Sequence, residues 1–187
     1  YPILWELHQP EINTKIDWAW TQRQLNKIRS HNIDPVAGLV HHGSGPAFTS
    51  LLNDNFATQL AQYANQVATQ FPWIKYYTPV NEPLTTARFS GLYGFWYPHV
   101  SNDIGFAKML INQLKGIVLS MAEIRKINPD AKLIQTEDLG KTYGTPALQY
   151  QAKFENERRW LTYDLLCGKI KPGHIMWEYF SRLGIPK

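Results

Sequence analysis

The chain has 187 residues, 44% of them hydrophobic and 18% charged, with a formal net charge of +4, so it can bury a sizeable core and is neither disordered nor low-complexity. Its cations are scattered, and the densest groups (Arg125-Lys126, Arg158-Arg159, Lys169 to Lys171) are short, so a nucleic-acid partner is not expected. No apolar run reaches the roughly 18 to 20 residues of a membrane span, so no membrane partner is expected either.

Ile3-Leu4-Trp5-Glu6-Leu7 is a short apolar run closed by Pro10 and reads as a buried strand. A helix is expected from about Asp17 to His31, with Trp18, Leu25 and Ile28 apolar and Arg23, Lys27 and Arg29 on the charged face. Pro35 to His42 is a second continuous apolar run ending in polar residues, as in parallel strands covered on both faces. After Gly43-Ser44-Gly45-Pro46, the spacing of Phe56, Leu60, Tyr63, Ala64, Val67 and Phe71 predicts a helix from about Asn53 to Phe71.

Lys75-Tyr76-Tyr77-Thr78-Pro79-Val80-Asn81-Glu82-Pro83 reads as the third strand. A loop rich in Gly and aromatics follows from Leu84 to Val100, then a helix to about Ile127 carried by Ile104, Leu110, Leu114, Ile117, Met121 and Ile124. Pro79 within a strand removes a ladder donor, so a bulge or early strand end is expected there. Lys132 to Asp138 reads as the fourth strand, Ala147 to Leu166 as a final helix, and the remainder to Lys187 as irregular. The chain opens inside a strand and stops without a closing element, so it reads as a fragment of a longer polypeptide forming one partial domain over 1–187.

Four strand-helix units repeat at about 35 to 55 residues each, the rhythm of a parallel α/β fold. They make half of an eight-stranded barrel, with a doubly wound sheet as the competing architecture. Glu6, His8, His41, His42, Asn81, Glu82, Glu137 and Asp138 all fall at carboxyl ends of expected strands. A barrel would gather these ends at one mouth, where such folds place their chemistry.

Two phosphate-loop look-alikes fail on inspection. In Gly43-Ser44-Gly45, Pro46 follows and Phe48 holds the third glycine position; before Gly140-Lys141-Thr142, the required earlier glycine is Gln135. Metal ligation by His41 and His42 is not expected, because adjacent strand residues point to opposite faces. The carboxylates fit better: glycoside cleavage needs a carboxylic acid to protonate the leaving oxygen and a second carboxylate, about 5 to 5.5 Å away in retaining enzymes. Glu82 suits the first role, and Asn81 beside it can hydrogen-bond a sugar hydroxyl. The 7 Trp, 10 Tyr and 8 Phe include rings that could stack on sugar faces, although most are expected in the core.

Asn81-Glu82-Pro83, the loop Gly91-Leu92-Tyr93-Gly94 through Pro98-His99, Val40-His41-His42 and Ile3-Leu4-Trp5 together resemble glycoside hydrolase family 1, the β-glucosidase-like enzymes of the (β/α)8 glycosidase clan. The resemblance implies a partial TIM barrel running from the second to the fifth strand, with Glu82 as general acid/base. Asn81, His41, Trp5 and Glu137 would be substrate-binding residues. It implies a carbohydrate ligand, no cofactor, and a need for the rest of the polypeptide to close the barrel. His42, Gly43 and Pro79 depart from the family pattern, and the nucleophile's strand lies beyond this chain. Those departures motivate the alternative of a catalytically silent sugar-binding or scaffolding module, joined to a nucleotide-sugar enzyme resembling dTDP-4-dehydrorhamnose reductase. The single cysteine, Cys167, and the absence of any Asn-x-Ser/Thr acceptor lead to an expected cytoplasmic setting.

Overall fold

The computed structural model describes residues 1–12 and 14–185. They form two compact units, Tyr1–Glu82 with Lys115–Thr136, and Pro83–Leu114 with Glu137–Lys187. Pro186 and Lys187, the end of the tail expected to be irregular, lie outside the described residues.

The first unit contains a parallel sheet of order β1-β2-β3, with β1 at Val36–His41, β2 at Tyr76–Asn81 and β3 at Lys132–Leu133. Before it come α1 (Trp5–His8) and α2 (Ala19–Ser30); between β1 and β2 lies α3 (Phe56–Gln70). The expected strand over 3–7 is not formed. Only Pro2 bridges to Gly38, through Gly38 N–H to Tyr1 O and Ile3 N–H to Gly38 O, and the chain then turns into α1. A run this short carries no periodicity that separates a strand from a helical turn.

Pro79 produces neither the expected bulge nor an early end. β1 and β2 keep one register from Val36↔Tyr76 to His41↔Asn81. The effect falls on the other side of β2. Tyr77 pairs with Leu133 and accepts from Ile134 N–H at 2.8 Å, so in a parallel ladder the next donor owed to Ile134 O is the N–H that Pro79 lacks. The Thr78 hydroxyl donates to that carbonyl instead, at 2.6 Å. Regular pairing on this side ends at Leu133, which is why β3 is far shorter than the sequence pattern implies.

α3 buries Phe56, Leu60, Tyr63, Ala64 and Val67, the stripe its spacing predicts. Tyr63 stacks on Trp5 at 5.7 Å and donates its hydroxyl to Ile3 O at 2.9 Å, tying the opening segment to the helix. Burial pushes the Tyr63 phenol well above its ordinary value, with the Glu6 charge adding to the shift, so it stays a neutral donor.

In the second unit, Pro83–Ala87 forms α4 and continues into a π-helical turn at Arg88–Leu92, so the expected loop is helical in its first half. α5 (Asp103–Ile127) is shared between the units at Leu114 and Lys115. Asn102 caps it: its side chain accepts from Gly105 N–H at 2.8 Å. The helix expected over 147–166 is divided at Trp160 into α6 (Gln149–Arg159) and α7 (Leu161–Leu166), preceded by a 3₁₀ turn at Pro146–Leu148. The tail expected to be irregular contains α8, Ile175–Arg182, which buries Met176, Tyr179 and Phe180.

Candidate functional site

The site is built at the carboxyl ends of β1 and β2. Because His41 is registered with Asn81, the next residues, His42 and Glu82, leave the sheet at the same level. Both take the left-handed backbone conformation, with φ of 53° and 44°. That region is disfavoured for residues with a Cβ and, where it persists, tends to accompany sites that need a side chain re-aimed.

The re-aiming is visible in the rings. Alternation along a strand would separate His41 from His42, yet their ring centroids lie 4.3 Å apart at 72°. The expectation that they point to opposite faces fails because His42 has left the extended conformation. Even so, among the described residues no group of three or more His, Cys, Asp or Glu could hold a metal ion.

His42 Nε2 lies 3.6 Å from Glu82 Oε2, with both side chains partly exposed, and accepts from Asn81 Nδ2 at 3.3 Å. Asn81 Oδ1 accepts from the Thr136 hydroxyl at 3.0 Å, so the amide is held at both ends. Burial lowers the His42 pKa, the neighbouring His41 lowers it further, and Glu82 opposes both. The neutral ring has a lone pair for Asn81. A protonated ring would instead present Nε2–H to Glu82, so proton uptake exchanges one partner for the other.

His41 and Asn81 also line a cleft of about 460 Å³ together with Gly38, Val40 and Thr78; Glu82 does not line it. Trp5 does not face such a space. It is 1% exposed, stacked on Tyr63, edged by Phe48, and donates Nε1–H to Gln9 at 3.0 Å, so its role is packing.

Glu137 belongs to the second unit. Its Oε1 accepts from Leu84 N–H at 2.7 Å and from the Thr162 hydroxyl at 2.6 Å, which caps the start of α4 and fastens α7. Leu84 stands two residues after Glu82 in sequence, so this carboxylate fixes backbone close to the candidate acid. Sequence reasoning did not find Thr136 or the His42 contact. The only available signal was adjacency in sequence, since His42 follows His41 and Thr136 precedes Glu137, both named site residues.

No protein-family model matches this chain, and no curated protein matches it. Its fold is similar to that of solved β-glycosidases. Against a β-glucosidase from Thermotoga maritima in complex with castanospermine, the TM-score is 0.82 at 19% identity, over 100% of this chain and 44% of that one. Against a β-glycosidase from Pyrococcus horikoshii it is 0.77 at 17% identity, over 92% and 41%. The AHE enzyme from Alicyclobacillus herbarius gives 0.75 at 17%, over 84% and 38%. The chain thus spans about two fifths of the length of these structures, and at such identities the likeness is one of fold: an α/β arrangement similar to TIM-barrel glycosidases, here with a small parallel sheet.

Proposed function

We propose that the chain is part of a (β/α)8 glycoside hydrolase-like domain, its second to fifth strands, in which Glu82 is the general acid/base of a retaining β-glycosidase. The observation that carries this reading is an Asn-Glu pair at the carboxyl end of a parallel strand, in a fold similar to β-glycosidases, with Glu82 held in a left-handed conformation. Glu82 would protonate the glycosidic oxygen, a carboxylate from the remainder of the polypeptide would attack the anomeric carbon, and Glu82 would then activate water. Asn81 and His41, both lining the 460 Å³ cleft, are the proposed sugar contacts. Glu137 serves by holding the backbone at Leu84 rather than by touching substrate.

The pairing of His42 with Glu82 favours a second reading, a silent sugar-binding module. A protonated His42 would engage Glu82 as an ion pair instead of leaving its proton available to a glycosidic oxygen.

The test compares hydrolysis of aryl β-glycosides by the polypeptide carrying this chain with that of its Glu82→Gln variant. The expected loss is about 100-fold or more, the contribution of general acid/base catalysis. Equal rates would remove Glu82 from the chemistry. Sugar binding without hydrolysis in both proteins would leave the silent module.

A further inference from the structure

The second unit holds a cluster of charge that the proposed chemistry does not use. Arg88, the first residue of the π-helical turn, is 8% exposed. Its Nε and Nη2 each lie 3.4 Å from the Tyr93 hydroxyl, and its guanidinium sits over the rings of Phe89 and Tyr93 at 5.9 and 5.5 Å. No carboxylate of the described residues pairs with it. Arg158, 5% exposed, also donates to the Tyr93 hydroxyl, at 3.1 Å, and forms an ion pair with Glu155.

The cluster is therefore rich in donors and short of acceptors. Two guanidinium groups bring ten N–H bonds, and Tyr93 adds one O–H. Facing them are the phenol oxygen, already approached by three nitrogens, and one carboxylate shared with Arg158. Arginine cannot shed its charge to relieve burial, as a histidine or lysine can. The ring contacts return only a fraction of the penalty of burying an ion. A π-helical turn in an otherwise α-helical stretch often marks a functional position.

We propose that Arg88, with Tyr93 and Arg158, forms a binding site for a small oxyanion, a phosphate or carboxylate group, that supplies the counter-charge Arg88 lacks. The planar guanidinium fork suits a two-oxygen anion, and a neutral sugar hydroxyl would not balance the charge. The site stands on the second unit alone and does not depend on the role of Glu82.

The test is a thermal-unfolding titration of the polypeptide carrying this chain with inorganic phosphate and, separately, acetate, at constant ionic strength set with chloride. Wild type is expected to gain a saturable rise in midpoint with at least one of the two anions, and which one identifies the group. Arg88→Gln should weaken the apparent affinity at least tenfold. Lys75→Gln, which removes an exposed cation paired with Asp34, should leave it unchanged. Should Arg88→Gln not fold, Arg88→Lys keeps the charge without the fork and is expected to weaken binding several-fold, and Arg88→Met fills the space without charge and should abolish the response. A wild type that responds to neither anion, or an undiminished response in whichever Arg88 variant folds, would overturn the site.

Discussion

The strand-end cluster of the first unit and the arginine cluster of the second are built on opposite terms. At the strand ends, His42, Glu82 and Asn81 stay partly exposed, each has a partner of complementary character, and the cost lies in two left-handed residues. Around Tyr93 the π-helical turn at Arg88–Leu92 contains no left-handed residue, and the cost lies in charge: two buried guanidinium groups against one carboxylate. Conformational strain aims side chains at something outside, and a charge imbalance asks for something to be brought in. The proposed site of reaction and the proposed site of capture thus rest on different kinds of cost.

The largest expected effect comes from breaking the balanced half of the arginine cluster. Arg158→Ala strips Glu155 of its buried partner and empties the space over Phe106 and Phe154, and should cost about 3 kcal/mol in denaturant unfolding. Arg88→Met, replacing a charge without a carboxylate partner, should leave stability unchanged or raise it in anion-free buffer. Equal losses from both would show that the two arginines are not distinguished by their partners. Next in size is Gly91→Ala in the same π-helical turn. Its Cβ would stand 2.8 Å from both the backbone N and Cα of Phe106, atoms that cannot rotate away, so a loss of about 2 kcal/mol is expected.

How much of this could be read from residues alone differs between the clusters for a physical reason. A strand end announces itself locally, because an apolar run stops at polar residues, and Asn81 and Glu82 were legible on that ground. Trp5 was not, since a five-residue apolar run fits a strand or a helical turn equally well, and the buried stack with Tyr63 arises from a residue 58 positions later. Arg88 carried no sequence signal, and Arg158 stood out only as half of a short basic pair, because nothing local says that they meet at Tyr93. α8 could have been found: Met176, Tyr179 and Phe180 have the i, i+3, i+4 spacing of a buried helical face.

A smaller effect tests how the first unit tolerates a proline in its middle strand. Thr78→Val removes the hydroxyl that stands in for the missing Pro79 N–H at Ile134 O, and should cost about 1 kcal/mol. Pro79→Ala restores a donor, so Thr78→Val should cost less in that background, and additive losses in the double mutant would refute the substitution of one donor for another.

The smallest effect bears directly on the strand-end cluster. His42 has a folded-state pKa below the ordinary histidine value of 6.5, set by burial and His41 against the pull of Glu82. The unfolded chain then takes up its proton first as pH falls. This histidine's contribution to stability is complete above about pH 6.5 and is lost progressively on acidification towards its folded pKa. His42→Gln keeps a polar side chain that does not titrate, so unfolding free energies measured from pH 7 down to pH 5 should fall less steeply in the variant than in wild type. The difference should be modest, because a side chain this exposed is well screened. A steeper fall in the variant would reverse the sign, meaning that Glu82 outweighs burial and His41 and that the pair exists mainly as an ion pair. In that case the strand-end cluster would be charge-balanced in its own right, and the silent-module reading would gain over the hydrolase.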